Sequence, residues 1–264
     1  MKPRLPLYKE VDVYKSLSPL AFATALITLA GCQSKPAPEV DEQARQTFIS
    51  DMQRALIHSM ATADTGEQIG AVLLEVTLDG QSAPTHCKAV RAPVKYRMAL
   101  PADVMPTDIN ALTRLVEAQC WKTIYPVVPA TVREENGTVD VRAPLYIVLP
   151  GAAQAPDTLR RKAYAQRDFF WQHLLRDQPV TSIGKASLYY QANAKGKVEG
   201  CLVQLYPHPL RTDAFRLDGN LQALLNSRCM ALDLSKLPGF AVDAQGQATG
   251  YTEMDYAPWR FNRP

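Results

Sequence analysis

Residues Gly184–Cys201 read GKASLYYQANAKGKVEGC, and residues Gly70–Cys87 read GAVLLEVTLDGQSAPTHC. Each stretch opens on a glycine preceded by isoleucine. Each continues as a strand-like run (Ala71–Leu78; Ala186–Ala192), turns at a glycine (Asp79-Gly80; Lys195-Gly196), and reaches a cysteine seventeen residues from its first glycine. Two such runs joined by a Gly-bearing turn predict a β-hairpin in each stretch. The equal spacing predicts that the two hairpins are copies of one unit.

The flanks repeat as well. Upstream of the first hairpin, Val40–Ala61 carries Ala44, Phe48, Met52, Ala55, Leu56 and Met60 at steps of three and four, which predicts an amphipathic helix. Upstream of the second, Thr158–Asp177 carries Leu159, Ala163, Phe170 and Leu174 as a buried stripe, and Pro179 stops it. Downstream of each hairpin a second helix is expected. One starts near Thr107 and carries Leu112, Leu115, Val116 and Cys120; the other starts near Asp218 and carries Leu221, Leu224, Leu225 and Cys229. Leu112 and Leu221 each lie eight residues before a cysteine, and Asp108 and Asp218 are expected in the first turns of these helices, where a carboxylate suits the positive helix end. Each half then passes prolines (Pro126 and Pro129; Pro238) and a Gly turn (Asn136-Gly137; Gly246) to a last strand, Thr138–Leu149 or Ala248–Tyr256. The expected fold class is α+β: two tandem helix-strand-strand-helix-strand domains, residues 40–152 and 157–264, each a small antiparallel sheet packed on helices.

The N-terminal residues have a different character. Met1–Gly31 contains four basic residues, followed by an uncharged run from Leu17 to Cys32 that includes Pro19. This is the layout of a secretory signal, and the run is short for a membrane-spanning helix. Leu29-Ala30-Gly31-Cys32 resembles the lipobox of bacterial lipoproteins. The resemblance implies that residues 1–31 are a signal peptide and that Cys32 carries the lipid. Gln33 after it, rather than Asp, favours the outer membrane, with the protein facing the periplasm. Residues 32–39, with Pro36 and Pro38, read as an extended tether.

The chain has 29 Lys and Arg against 26 Asp and Glu; without the four basic and two acidic residues of Met1–Gly31 the balance is about +1. That near-neutrality argues against a nucleic-acid binder, which needs a basic face. With Cys32 assigned to the anchor, four of the five cysteines remain, one on a strand and one on a helix of each half. The repeat therefore predicts the disulfides Cys87–Cys120 and Cys201–Cys229, the pairing each half can make alone. There is no C-x-x-C, and His58, His86, His173 and His208 show no ligand spacing, so neither a metal nor another cofactor is expected.

The order of strand, Gly-bearing turn, strand, helix, aromatic-then-proline stretch and final strand resembles the C-terminal domain of the TonB/TolA class of envelope proteins. The first half supplies Asp79-Gly80-Gln81, then Leu112, Leu115 and Val116, then Cys120-Trp121, Tyr125-Pro126, Gly137 and Pro144. The second half has Met230 where the first has Trp121. The resemblance implies binding of envelope proteins or peptides along a sheet edge.

No G-x-S-x-G and no phosphate-cradling glycine loop is present, and Asp103, Asp108, Glu134 and Glu135 are scattered acids. Arg160-Arg161-Lys162 reads as a solvated basic cluster. Phe169, Phe170 and Trp171 are too many aromatics for one helix face, so part of this set is expected to pack on the other half or on a partner. The sequence reads as a non-enzymatic, membrane-anchored periplasmic lipoprotein. Its expected partners are membrane lipid through Cys32 and another envelope protein; neither nucleic acid nor a small-molecule substrate is evident. A structural subunit of an envelope or secretion complex is the alternative, and a cell-wall-acting enzyme a third reading.

Overall fold

Each half is built on one central strand paired antiparallel on both sides. In the computed structural model the described residues are 41–63, 68–97, 106, 108–147 and 156–261, without the side chains of 156–158. The elements of the first half are α1 (Glu42–Ala61), β1 (Gly70–Leu78), β2 (Pro84–Arg91), the one-turn α2 (Val94–Arg97), α3 (Ile109–Lys122) and β3 (Val139–Ile147). The second half has α4 (Pro156–Phe170), a π-turn over Trp171–Leu175, β4 (Gly184–Asn193), β5 (Val198–Pro207), α5 (Gly219–Met230) and β6 (Gln247–Tyr256). The sheet orders are β2-β1-β3 and β5-β4-β6. The protein is thus α+β, with two three-stranded antiparallel sheets in tandem halves, each packed against helices. All described residues belong to one compact unit.

The register repeats. Cys87 lies opposite Val76 on the central strand, and Cys201 opposite Tyr190; on the other side Val76 faces Val141 and Tyr190 faces Gly250. Alternate residues of β1 (Val72, Leu74, Val76, Leu78) enter a core with Phe48, Met52 and Leu56 of α1 and Leu112 and Val116 of α3. Alternate residues of β4 (Ala186, Leu188, Tyr190, Ala192) pack on Phe170, Leu174, Leu221 and Leu225. The glycines that open both hairpins are places of close approach. A Cβ on Gly70 would stand 2.8 Å from the Leu112 side chain, and one on Gly184 would stand 2.5 Å from the Tyr256 hydroxyl.

The hairpin turns are equivalent, but not at the expected glycine. Asp79 Oδ1 accepts the N–H groups of Gln81 and Ala83, and Asn193 Oδ1 accepts those of Lys195 and Lys197. The left-handed residue of the second turn is Gly196 (φ 80°); its counterpart is Ser82 (φ 61°), not Gly80. Ser82 is buried, and its hydroxyl accepts the Val128 N–H at 2.8 Å, which offsets the backbone strain. Asp108 and Asp218 stand one place earlier than first-turn residues. Each is an N-cap whose carboxylate accepts a backbone N–H at 2.9 Å.

The stripe expected on the second half's first helix is corrected at two positions. Leu159 is 68% exposed and Ala163 is exposed, whereas Phe170, Leu174 and Leu175 are buried. Leu159 and Ala163 lie in the first turns of α4, which run past the core; the helix meets it only from Phe169 onward. The π-turn then inserts a residue into the helical phase, so Leu174 and Leu175 both face inward. The aromatic set packs mainly within its own half. Phe170 meets Tyr190, Phe169 meets Phe170 and His173, and Trp171 meets Phe261.

The halves meet along a small apolar seam of Ile124, Ile183 and Ala257, with Ala214 and Trp259 packed against it. Beside the seam the buried Arg211 donates to the Gln81 carbonyl at 3.0 Å, and Arg167 donates to that of Thr62 at 3.4 Å.

Candidate functional site

The four paired cysteines are where the repeat predicts them. Cys87 is bonded to Cys120 and Cys201 to Cys229, both with Cα atoms 6.0 Å apart. Each disulfide ties an edge strand, β2 or β5, to the end of the helix lying on it. Disulfides of this kind mark an oxidising, extracytoplasmic compartment. No helix among the described residues is long and apolar enough to cross a membrane. Cys32, Asp103 and the lipobox lie outside the described residues.

The same helices also cap the strand edges. Glu117 Oε1 accepts the N–H of Ala89 at 2.9 Å, and Asn226 Oδ1 accepts that of Val203 at 2.9 Å. Asn226 returns a bond to the Val203 carbonyl at 3.2 Å, and Gln222 Oε1 accepts the Leu205 N–H at 3.2 Å. Side chains in these positions occupy groups that a further strand would need. The third edge, β3, contains Pro144, which has no N–H to offer. The fourth, β6, has no proline, and among the described residues no side chain bonds to its backbone between Ala248 and Met254. Next to that edge the solvent face of the second sheet carries a row in register: Leu202, Tyr189 and Tyr251, which are 51%, 53% and 62% exposed.

Farther along the same sheet face, the first half closes over the second and leaves a cavity of about 370 Å³. The end of α1 contributes Arg54 and His58, the end of α3 contributes Lys122, α4 contributes Arg167, and the tail after β6 contributes Arg260. Lys185 lies on its floor, 3.1 Å from Asp255 and 3.2 Å from Glu253. Burial works against the Lys185 charge, but the two carboxylates outweigh it and hold its pKa above the ordinary value. For Asp255 burial acts upward, and Lys185, His208 and Arg260 together pull its carboxyl below the ordinary range.

His208, only 6% exposed, lines the same cavity. Its Nδ1 accepts the Leu210 N–H at 3.2 Å, which leaves Nε2 to carry the proton of the neutral ring, facing Asp255 at 3.8 Å. Burial lowers its pKa to about 4. So placed, the ring offers the cavity a donor rather than a base. No sequence spacing relates His58 to His208; the docking of the halves brings them to one cavity.

Arg260 is half-buried, with its guanidinium 4.3 Å above the Trp171 ring. Its Nη1 donates to the Asp255 carbonyl, and its Nε is buried without a hydrogen-bond partner among the described residues. Burial lowers its pKa to about 10; Asp255 opposes that shift and Arg167 adds to it.

The scattered acids do not converge. Asp108 is a helix cap, and Glu134 lies in a backbone turn with Gly137 and Thr138. Among the described residues no three His, Cys, Asp or Glu side chains gather as a metal site. No protein-family model, curated protein or solved structure matches the chain.

Proposed function

We propose that this is a lipid-anchored envelope protein, held at the outer membrane through Cys32, whose second half receives an extended segment of another envelope protein along β6. The observation that carries the reading is the inequality of the four sheet edges. Two are capped by helix side chains and one is interrupted by Pro144, while β6 keeps its backbone groups beside the exposed row Leu202, Tyr189 and Tyr251. Main-chain bonds to an added strand would supply affinity, and the aromatic row would select side chains. The repeated strand-strand-helix-strand order supports the likeness to TonB/TolA C-terminal domains, and the disulfides support an exported protein.

Two experiments test it. Growth with labelled palmitate should label the mature protein and leave the Cys32→Ala variant unlabelled; an unlabelled mature protein removes the anchor from the proposal. Affinity purification from crosslinked envelopes should return the same protein partner in independent preparations. Failure to return one removes the binding role.

A further inference from the structure

The inter-half cavity has a charge balance that protein binding at β6 does not explain. We propose that it binds a small molecule bearing an oxyanion, phosphate or carboxylate, held by Arg167, Arg260 and Lys122. The inference is independent of the β6 reading.

These three cations face one cavity, and among the described residues none has a carboxylate within ion-pairing distance. The lining carboxylates are outnumbered: Arg54, Lys122, Arg167, Lys185 and Arg260 face only Asp168 and Asp255, and Asp255, which favours the Arg260 charge, is shared with Lys185 at 3.1 Å. Burial disfavours the Arg260 charge, and the neighbouring Arg167 guanidinium adds to that penalty. An oxyanion between two guanidinium groups reverses that repulsion and accepts charge-assisted bonds from both. The buried Nε of Arg260 supplies a donor in need of an acceptor. Its guanidinium is seated over the Trp171 ring, so the donor fork is oriented before any ligand arrives.

The cavity volume lies within the range of small-molecule sites. Trp171 and Tyr164 supply ring walls for the uncharged part of such a ligand. The site exists only where the halves meet, since Lys122 comes from the first and Arg167 and Arg260 from the second.

The test is calorimetric titration of the purified full chain, disulfides intact, with four probes: inorganic phosphate, glycerol 3-phosphate, an acetylated dipeptide with a free C-terminal carboxylate, and its amide. Saturable binding of either phosphate probe identifies a phosphate site. Binding of the free dipeptide but not its amide identifies a carboxylate site. Arg167→Gln should weaken binding by about tenfold or more, as expected for loss of a charge-assisted hydrogen bond. Arg167→Lys should recover part of it. Lys122→Gln, at an exposed position that leaves the fold intact, should weaken binding by a smaller factor. Absence of saturable binding by every charged probe overturns the proposal. So does binding that Arg167→Gln and Lys122→Gln both leave unchanged in protein whose thermal melt is native-like.

Discussion

The Glu117 carboxylate accepts the backbone N–H of Ala89 at 2.9 Å, and Asn226 does the same for Val203 at the equivalent place in the second half. Glu117 and Asn226 each stand three residues before a helix cysteine; Ala89 and Val203 each stand two after a strand cysteine. Each helix is therefore fastened to its edge strand twice, by a disulfide and by a polar side chain. Asn226→Ala should lower stability by about 1 kcal/mol or more, because a part-buried N–H loses its acceptor. Asn226→Asp, which keeps an acceptor for the Val203 N–H but loses the bond to its carbonyl, should fall between. Urea denaturation with the disulfides intact reads both.

The disulfides close loops with sequence separations of 33 and 28 residues. Replacing Cys201 and Cys229 together by alanine should remove roughly 3–4 kcal/mol by the chain-entropy account. Non-reducing peptide mapping should find Cys87 linked to Cys120 and Cys201 to Cys229. A Cys87–Cys201 link would contradict the fold.

His208 makes stability depend on pH. Its pKa is lowered from 6.5 to about 4 in the folded state by burial, so the unfolded chain binds the proton first as pH falls. The neutral ring's contribution is intact above about pH 6.5 and is lost progressively as pH falls toward 4, by as much as about 3 kcal/mol. Denaturation midpoints across that window should show a decline that His208→Gln flattens. The depressed Asp255 carboxyl adds a second loss only below its ordinary range.

Gly184→Ala should destabilise the second half by roughly 1–3 kcal/mol. The added Cβ would meet the Tyr256 hydroxyl at 2.5 Å and the Tyr206 carbonyl at 2.9 Å, and the latter is backbone in a paired strand. Thermal unfolding of the variant tests this directly.

Much of the fold could be read in the sequence because its devices are local. The hairpins, the helices around Leu112 and Leu221 and the cysteine pairing all follow from spacings within one half, whereas Asp108 and Asp218 stand as N-caps one place before the first-turn positions expected of them. Ser82 was hidden because a buried hydroxyl, not a glycine, steadies its left-handed turn. Leu159 and Ala163 break the expected stripe because the first turns of α4 run past the core, which the helix meets only from Phe169 onward. Glu117 and Asn226 carry no signal in the sequence, because only the edge strand beside each gives its side chain a partner. The cavity was invisible for another reason: Lys122, Arg167 and Arg260 are distant in the chain, and only the docking of the halves assembles them.

The central claim is that β6 is the edge that receives a partner. It is tested most directly by replacing single residues with a photo-crosslinking amino acid in intact cells. Thr249 and Tyr251 on β6 would be compared with Glu199 and Gln204 on β5. A partner strand seated on β6 predicts one discrete protein adduct from both β6 positions and none from the β5 positions. Equal adducts from both strands, or none from β6, would contradict it.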